Sequence, residues 1–504
     1  MNADRIRSIL IVGGGAPAWL AALTLARRLD RTFCEIRVLE ATSGRRGPHA
    51  HTASPAFRRL LAALGLDELD LVRCTQATIS LGAEFTDWGA PGETYFHPFG
   101  PLGARLQAVG FHHHWLRLRA LGVSHPLGEY SIAAVAARHG RFAPPSTDPR
   151  SVLSLLAHGY HVDAEGLATY LRRHALARGV HPITADIVDV RVRGADGGIE
   201  RLELADGTTA EADLYIDAGG AGDRLHTRAG LGPTIDWRAW LPCDRAWVAR
   251  IAPSTPPPYS RFTAAPAGYR WELPLQHATE VGIAFSSAAL PDDEALAALK
   301  RGHPETSLGD PRPMQLPAGR PTAFWSRNCV ALAADGFGAL EGTSLHLAQT
   351  AVTRLLALFP VRRVSPPDIA EYNRLTILEH ERIRDFLAAH FHVTRRDDSP
   401  FWRACRTAAM PGTLRAKLDL FEESGRVALL DEEHFGEDSW LALLLGQGIV
   451  PERHDPLADV LDPDEVRSSF ENMRTGLRDA VLGMPLHAEF IARHGAPRTT
   501  GGIR

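Results

Sequence analysis

Three consecutive glycines, Gly13-Gly14-Gly15, stand between an apolar run and a helical one, and they constrain the fold more than any other stretch. Ser8-Ile-Leu-Ile-Val12 has the length and character of a fully buried strand. Trp19 to Leu29 reads as a helix, with apolar residues at 20, 23 and 25 and two arginines near its end. A second apolar run, Ile36-Arg-Val-Leu39, ends on Glu40. Strand, glycine turn, helix, strand and acid make the dinucleotide-binding fingerprint G-x-G-x-x-G/A, here Gly13, Gly15 and Ala18. Gly13 lets the chain reverse tightly, Gly15 lets a pyrophosphate approach the backbone, and Ala18 lets the helix lie close to the strand. The helix start, with Ala16, offers free N–H groups and a positive dipole end to phosphates. Pro17 sits at an early helical position, where its missing N–H does little harm. Glu40 is placed to accept hydrogen bonds from a ribose.

With 504 residues, the chain can bury a large core and is expected to divide into two units. Its 45% hydrophobic and 23% charged residues fit a soluble enzyme. A net charge of −4 argues against nucleic acid as a main partner. No run of 18 apolar residues predicts a membrane span, and no leader-like apolar region predicts secretion. Five scattered cysteines without a C-x-x-C predict reduced thiols in a cytoplasmic protein. Lysine is confined to Lys300 and Lys417.

Along the chain, Ala56 to Leu64 reads as a helix and Cys74 to Trp88 as a half-buried strand with Ile79, Leu81, Ala83 and Phe85 on one face. Tyr95-Phe-His-Pro-Phe-Gly100 is an aromatic loop. Tyr160 to Gly179 reads as helical, and Val188–Val192 with Arg201–Leu204 as a hairpin around Asp196-Gly-Gly198. Asp213 to Asp217, followed by Ala-Gly-Gly-Ala-Gly222, is a second strand-to-glycine turn. Pro311 to Pro321 reads as a proline-rich connector, Asn328 to Leu332 as a strand, and the later part of Ala339 to Pro360 as a helix. From Pro366 onward the pattern is mostly helical.

Several of these motifs together resemble the flavin-dependent tryptophan halogenase family. They are the glycine turn followed by Trp19, Tyr95 to Gly100, Asp236 to Trp247, Tyr269-Arg-Trp-Glu-Leu-Pro-Leu-Gln276, Leu340-Glu-Gly-Thr-Ser-Leu-His346, Arg396 to Trp402, and Glu437 to Gly448. The resemblance implies an α/β fold: an FAD-binding, monooxygenase-type (Rossmann-like) box with a mostly helical half packed on it. The boundary is expected near residue 360, giving 1–360 and 361–504. It implies FAD held by Gly13, Gly15, Ala16, Pro17, Ala18, Glu40 and Leu345, and supplied as FADH2 by a separate flavin reductase. Halide is oxidised to hypohalous acid, which travels to a lysine beside a small aromatic, indole-like substrate. Glu341 matches the glutamate that assists attack on the ring, Thr343 and Ser344 the halide loop, and His97 and Phe99 the positions that sandwich an indole. Tyr269 and Trp271 are expected to shape the wall between flavin and tunnel. A homodimer is the expected assembly.

The sequence departs from the family at the amine. Ser80 occupies the lysine position, and a serine hydroxyl is neutral, short and less nucleophilic than a lysine amine. Lys300 lies in a helix-like run that reads as surface. In the loop Gly47-Pro-His-Ala-His-Thr52, Ala50 replaces the family's glutamate and His49 its second glycine. Three readings stay open: a flavin monooxygenase, a halogenase that releases hypohalous acid or uses another residue at the tunnel end, and a catalytically degenerate flavin- or ligand-binding member. His49 with His51, and His112 to His114, lack metal-ligand spacing, so no metal is expected. His390 and His392 read as packing residues.

Overall fold

A computed structural model describes residues 5–42, 47–219, 225–332 and 337–495. Ser8–Val12 lies inside a six-stranded sheet whose order is Trp325–Ser326, Cys329–Ala331, Leu214–Asp217, Ser8–Val12, Glu35–Glu40, His181–Thr184. All pairings are parallel except that of the edge strand Trp325–Ser326. A parallel strand is covered on both faces, which is why Ile9, Leu10 and Ile11 are all buried and the run shows no alternation. Helix Ala16–Arg28 links the first two strands and packs against helices Ala164–Leu176 and Ser344–Ala357.

A seven-stranded sheet stands beside it, in the order Gly309–Gln315, Arg245–Ile251, Thr279–Phe285, Gly268–Pro274, Ser260–Ala265, Gly82–Thr86, Thr94–Pro98. A small sheet, Ala50–Ala53, Gly159–Asp163, Thr78–Ser80, completes the scaffold of the site. The hairpin Ile187–Val192 with Ile199–Leu204 and the helix Pro55–Leu64 fall where the sequence places them.

Four expectations need correction. Tyr95 to Gly100 is not wholly a loop, since Thr94–Pro98 is a strand paired antiparallel with Gly82–Thr86 at the sheet edge. Cys74 to Trp88 is not one half-buried strand but two, Thr78–Ser80 and Gly82–Thr86, in different sheets. Thr78 and Ser80 are as buried as Ile79, because both faces are covered. Thr78 Oγ1 donates to Pro274 O at 2.6 Å and lies 3.1 Å from His161 Nδ1. Tyr160 to Gly179 opens as the strand Gly159–Asp163. The helix starts only at Ala164, where the Asp163 carboxylate accepts from Gly166 N at 2.7 Å. Pro311 to Pro321 overlaps the strand Gly309–Gln315, whose prolines are tolerated because it lies at a sheet edge, where proline's missing N–H is needed least.

The helical half begins with Pro366–His392, whose last eleven residues, 382–392, are all buried. Asn373 Oδ1 accepts the amides of Phe324 and Trp325, both at 2.8 Å, and ties this helix to the edge of the parallel sheet. No helix among the described residues is long and apolar enough to cross a membrane.

Candidate active site

The glycine turn has the geometry a dinucleotide needs. Gly13 has φ +136°, and a Cβ there would lie 2.7 Å from Ala218 O, so no other residue fits. Ala218 N donates to Val12 O at 2.9 Å, which pins the start of the second glycine turn against the first; residues 220–224 of that turn lie outside the described residues. Gly14 and Gly15 are exposed, and a Cβ on Gly15 would meet only the Pro17 ring, at 3.6 Å. The backbone of the turn therefore presents an open face at the start of helix Ala16–Arg28, while Ala16 and Ala18 are buried beneath it. Pro17 occupies the first turn of that helix. Glu40 is not free: its Oε1 accepts from Trp19 Nε1 at 3.0 Å, and Arg172 Nε lies 3.6 Å from Oε2. Trp19 thus orients the acid, a role its sequence motif did not disclose. Leu345 is buried at the start of helix Ser344–Ala357.

The second group of residues meets at the small sheet. Ser80 ends the strand Thr78–Ser80 and pairs in register with Gly159. The Phe99 ring edge lies over Gly159, and Phe99 N donates to Leu81 O at 2.8 Å. Ser80 and Phe99 are therefore neighbours. Ser80 is fully buried, and its hydroxyl faces Gly82 O at 3.4 Å; no histidine or carboxylate among the described residues bonds it.

The nearby imidazole is taken by Glu341 instead. His97 Nδ1 donates to Glu341 Oε1 at 2.8 Å, and His390 Nε2 lies 3.3 Å from the same oxygen. Glu341 is buried, at 4% side-chain exposure. Burial alone would raise its carboxyl, yet His97 and His390 hold it down, to about 2. Glu341 also sits at φ +59°, a left-handed conformation that costs a non-glycine residue energy and that marks functional turns. Gly342 follows at φ +58°, and a Cβ there would lie 2.5 Å from Thr52 Cβ, so the turn rests directly on the strand Ala50–Ala53. Phe386 and Phe435, stacked at 3.8 Å, lie 5.7 and 6.2 Å from the His97 ring. Behind the turn, Tyr269, Phe337, Leu340 and Phe391 line a small apolar cavity. Trp271 instead reaches Glu280 through its ring N–H.

Thr343 is buried and Ser344 Oγ lies 3.4 Å from His51 Nδ1. His49 and His51 do not converge on one point. Burial, with Arg312 and Arg250 nearby, lowers His49 to about 4, and burial lowers His51 to about 4. In the histidine run, His112 Nε2 donates to Gly425 O at 2.9 Å and His113 Nδ1 accepts from Asp455 N at 3.2 Å, both packing roles. No group of three or more His, Cys, Asp or Glu among the described residues is arranged to hold a metal ion. His392 is buried as expected, but His390 is more than a packing residue, since it touches Glu341. Its position at the inner end of a buried helix, four residues after Phe386, was the available signal. Lys300 is exposed. Lys417 is buried, with Nζ 2.9 Å from Glu433 Oε2 and 4.5 Å from the Trp440 ring, and so is committed to that pair.

Comparison with known proteins places these features in context. Residues 8–463 match the family model for tryptophan halogenase. The chain is 26% identical to the tryptophan 7-halogenase KtzQ of Kutzneria sp. (strain 744), over 98% of this chain and 99% of that one. Among solved structures, BrvH, a flavin-dependent halogenase from Brevundimonas sp. BAL3, is 39% identical with a TM-score of 0.91, covering 98% of this chain and 100% of that one. A flavin-dependent halogenase from Xanthomonas campestris is 35% identical with a TM-score of 0.93, at the same coverage.

Proposed function

The chain belongs to the tryptophan halogenase family, and on that premise we propose that it is a flavin-dependent halogenase-type oxidoreductase acting on a small aromatic, indole-like substrate. The observation that carries this reading is the buried Glu341 carboxylate, held between His97 and His390. The open glycine turn fits FAD, which Gly13, Gly15, Ala16, Pro17, Ala18, Glu40 and Leu345 would hold. When bound in reduced form, delivered by a separate flavin reductase, it supplies with dioxygen the chemistry that oxidises halide to hypohalous acid.

The protein's own residues then do the rest. Thr343 and Ser344 present polar groups for the halide at the start of a helix. Phe99 and the His97 ring edge hold a flat substrate. Glu341, kept ionised by its two histidines, takes the proton that the ring loses on substitution. Ser80 supplies only a hydroxyl where the family has an amine, so oxidant transfer is expected to be weak toward free tryptophan. A catalytically degenerate, ligand-binding member is the second reading, favoured by the buried Ser80 hydroxyl, which faces the Gly82 carbonyl at the lysine position. In both, residues 1–360 form the flavin box and 361–504 close the substrate side. We read the protein as cytoplasmic, with a homodimer as the assembly that light scattering would check.

The test supplies FAD, a flavin reductase with its nicotinamide, bromide or chloride, and a panel of indoles and tryptophan. Halogenated indole, with tryptophan a poor substrate, is the expected result. Normal FAD binding without any halogenated product would favour the degenerate reading, and failure to bind FAD would overturn the halogenase reading.

A further inference from the structure

Glu280 is the most deeply buried carboxylate outside the site just described, at 1% exposure, on the strand Thr279–Phe285. Three donors converge on it. The amides of His49 and Ala50 both donate to Oε2, Ala50 N at 2.7 Å, and Trp271 Nε1 donates to Oε1 at 2.9 Å. No acceptor among its hydrogen-bond partners could take a carboxylic O–H, so this cage is built for the anion.

The amides belong to the residues that open the strand Ala50–Ala53. That strand carries the Glu341 turn: Thr52 is the surface on which Gly342 rests, and His51 meets Ser344. A continuous line of contact therefore runs from Glu280, through two backbone amides, to the left-handed turn that presents Glu341. We propose that Glu280 is a positioning residue, a clasp that fixes the strand Ala50–Ala53 under the Glu341 turn and releases it on taking up a proton. The inference rests on the reading of Glu341 as the reactive carboxylate.

The surroundings set the clasp close to its balance point. Burial pushes the Glu280 carboxyl up to about 7, against the pull of Trp271, of the two amides and of Arg250. Arg250 is its register partner on the neighbouring strand and is itself paired with Asp163 at 2.7 Å. On the other side Glu280 faces Leu273, which carries no charge. His49 stands at the loop side near Arg312, and His277 lies 3.8 Å from Asp163. The charge that closes the clasp is costly to bury, so the closed form is only marginally favoured near neutral pH. That is the condition for a two-position element.

The experiment is hydrogen exchange on the intact protein, without flavin or substrate, read as protection factors for peptides spanning residues 47–53 and 338–343. In the wild type, protection at His49 and Ala50 should rise about tenfold between pH 6 and pH 8, with Gly342 following. Glu280→Ala should be unprotected at both pH values. Glu280→Gln places an amide against the Trp271 N–H, and Trp271→Phe in that background should restore protection without pH dependence. Wild-type protection that is flat with pH, or equal in Glu280→Ala at pH 8, overturns the clasp. Protection that titrates at 47–53 but not at 338–343 overturns its link to Glu341. Because exchange needs no turnover, failure of the halogenase reading would leave these results intact and be seen separately.

Discussion

His97 Nδ1 and Glu341 Oε1 are 2.8 Å apart, although 244 residues separate them in sequence. The contact joins the edge strand Thr94–Pro98 to the turn before helix Ser344–Ala357. His390 completes it: its Nδ1 donates to Phe386 O at 3.0 Å, and its Nε2 faces the same Glu341 oxygen.

Glu341→Gln keeps the shape and removes the charge. Under the proposed function it should lower kcat for halogenation by about 10²–10³-fold with little change in KM, because proton acceptance is lost while the ring site stays intact. Steady-state kinetics on the best indole would check it. An unchanged kcat would remove Glu341 from the chemistry and leave it a structural tie between the strand Thr94–Pro98 and the helix Pro366–His392.

Gly13→Ala and Gly15→Ala separate folding from cofactor binding. At Gly13 a methyl meets Ala218 O at 2.7 Å in a backbone conformation closed to alanine, so a loss of about 1–3 kcal/mol in stability is expected together with loss of FAD. At Gly15 the methyl meets only the Pro17 ring, at an ordinary contact distance of 3.6 Å, so Tm should hold while FAD affinity falls at least tenfold. Thermal melts and FAD fluorescence titration read the two effects. Equal FAD affinity in Gly15→Ala would mean that the open face is not the phosphate site.

The parallel sheet and its glycine turn were legible because a doubly covered strand writes itself as an unbroken apolar run and φ +136° admits only glycine. Glu341, His97 and Ser80 could be named from motifs, but their pairing could not, since it joins strands from two sheets to a helix start. His390 was read as packing because its burial is a property of the helix Pro366–His392, while its contact with Glu341 depends on how that helix lands. Glu280 carried no signal at all. It lies in a strand whose following residues, 281–285, are all non-polar, and two of its three partners are backbone amides, which every sequence has. Thr78 and Ser80 misled the period, because polar residues inside a covered sheet imitate a solvent face until their hydrogen bonds are seen.

Ser80→Lys tests whether the missing amine is all that limits oxidant transfer. The site is fully buried, so the longer side chain should cost about 1–3 kcal/mol through overpacking. If Nζ reaches Glu341, halogenation of indole and tryptophan should rise at least tenfold despite that cost. Ser80→Met, similar in length and uncharged, should show the stability loss without the gain. A Ser80→Lys protein that folds, binds FAD and gains nothing would place the limit in the altered loop His49–Thr52.

The Glu280 carboxyl makes a pH prediction whose sign is fixed by linkage. Its folded value, about 7, lies above the ordinary 4.5, so between these pH values the folded chain holds a proton that the unfolded chain has lost. Stability from this group is therefore complete below about pH 4.5, falls as pH rises through 7, and is flat beyond. Glu280→Gln cannot titrate, so the wild-type Tm minus the Glu280→Gln Tm should decrease from pH 5 to pH 8, by the equivalent of about 3 kcal/mol at most. Local order at His49 and Ala50 should move the opposite way, rising across the same window as the charged clasp forms. Global stability that falls while local protection rises is the signature of a charge held in place by its hydrogen bonds against the cost of its burial. If both quantities rise together with pH, the carboxyl is not held up by burial and the two-position balance is lost.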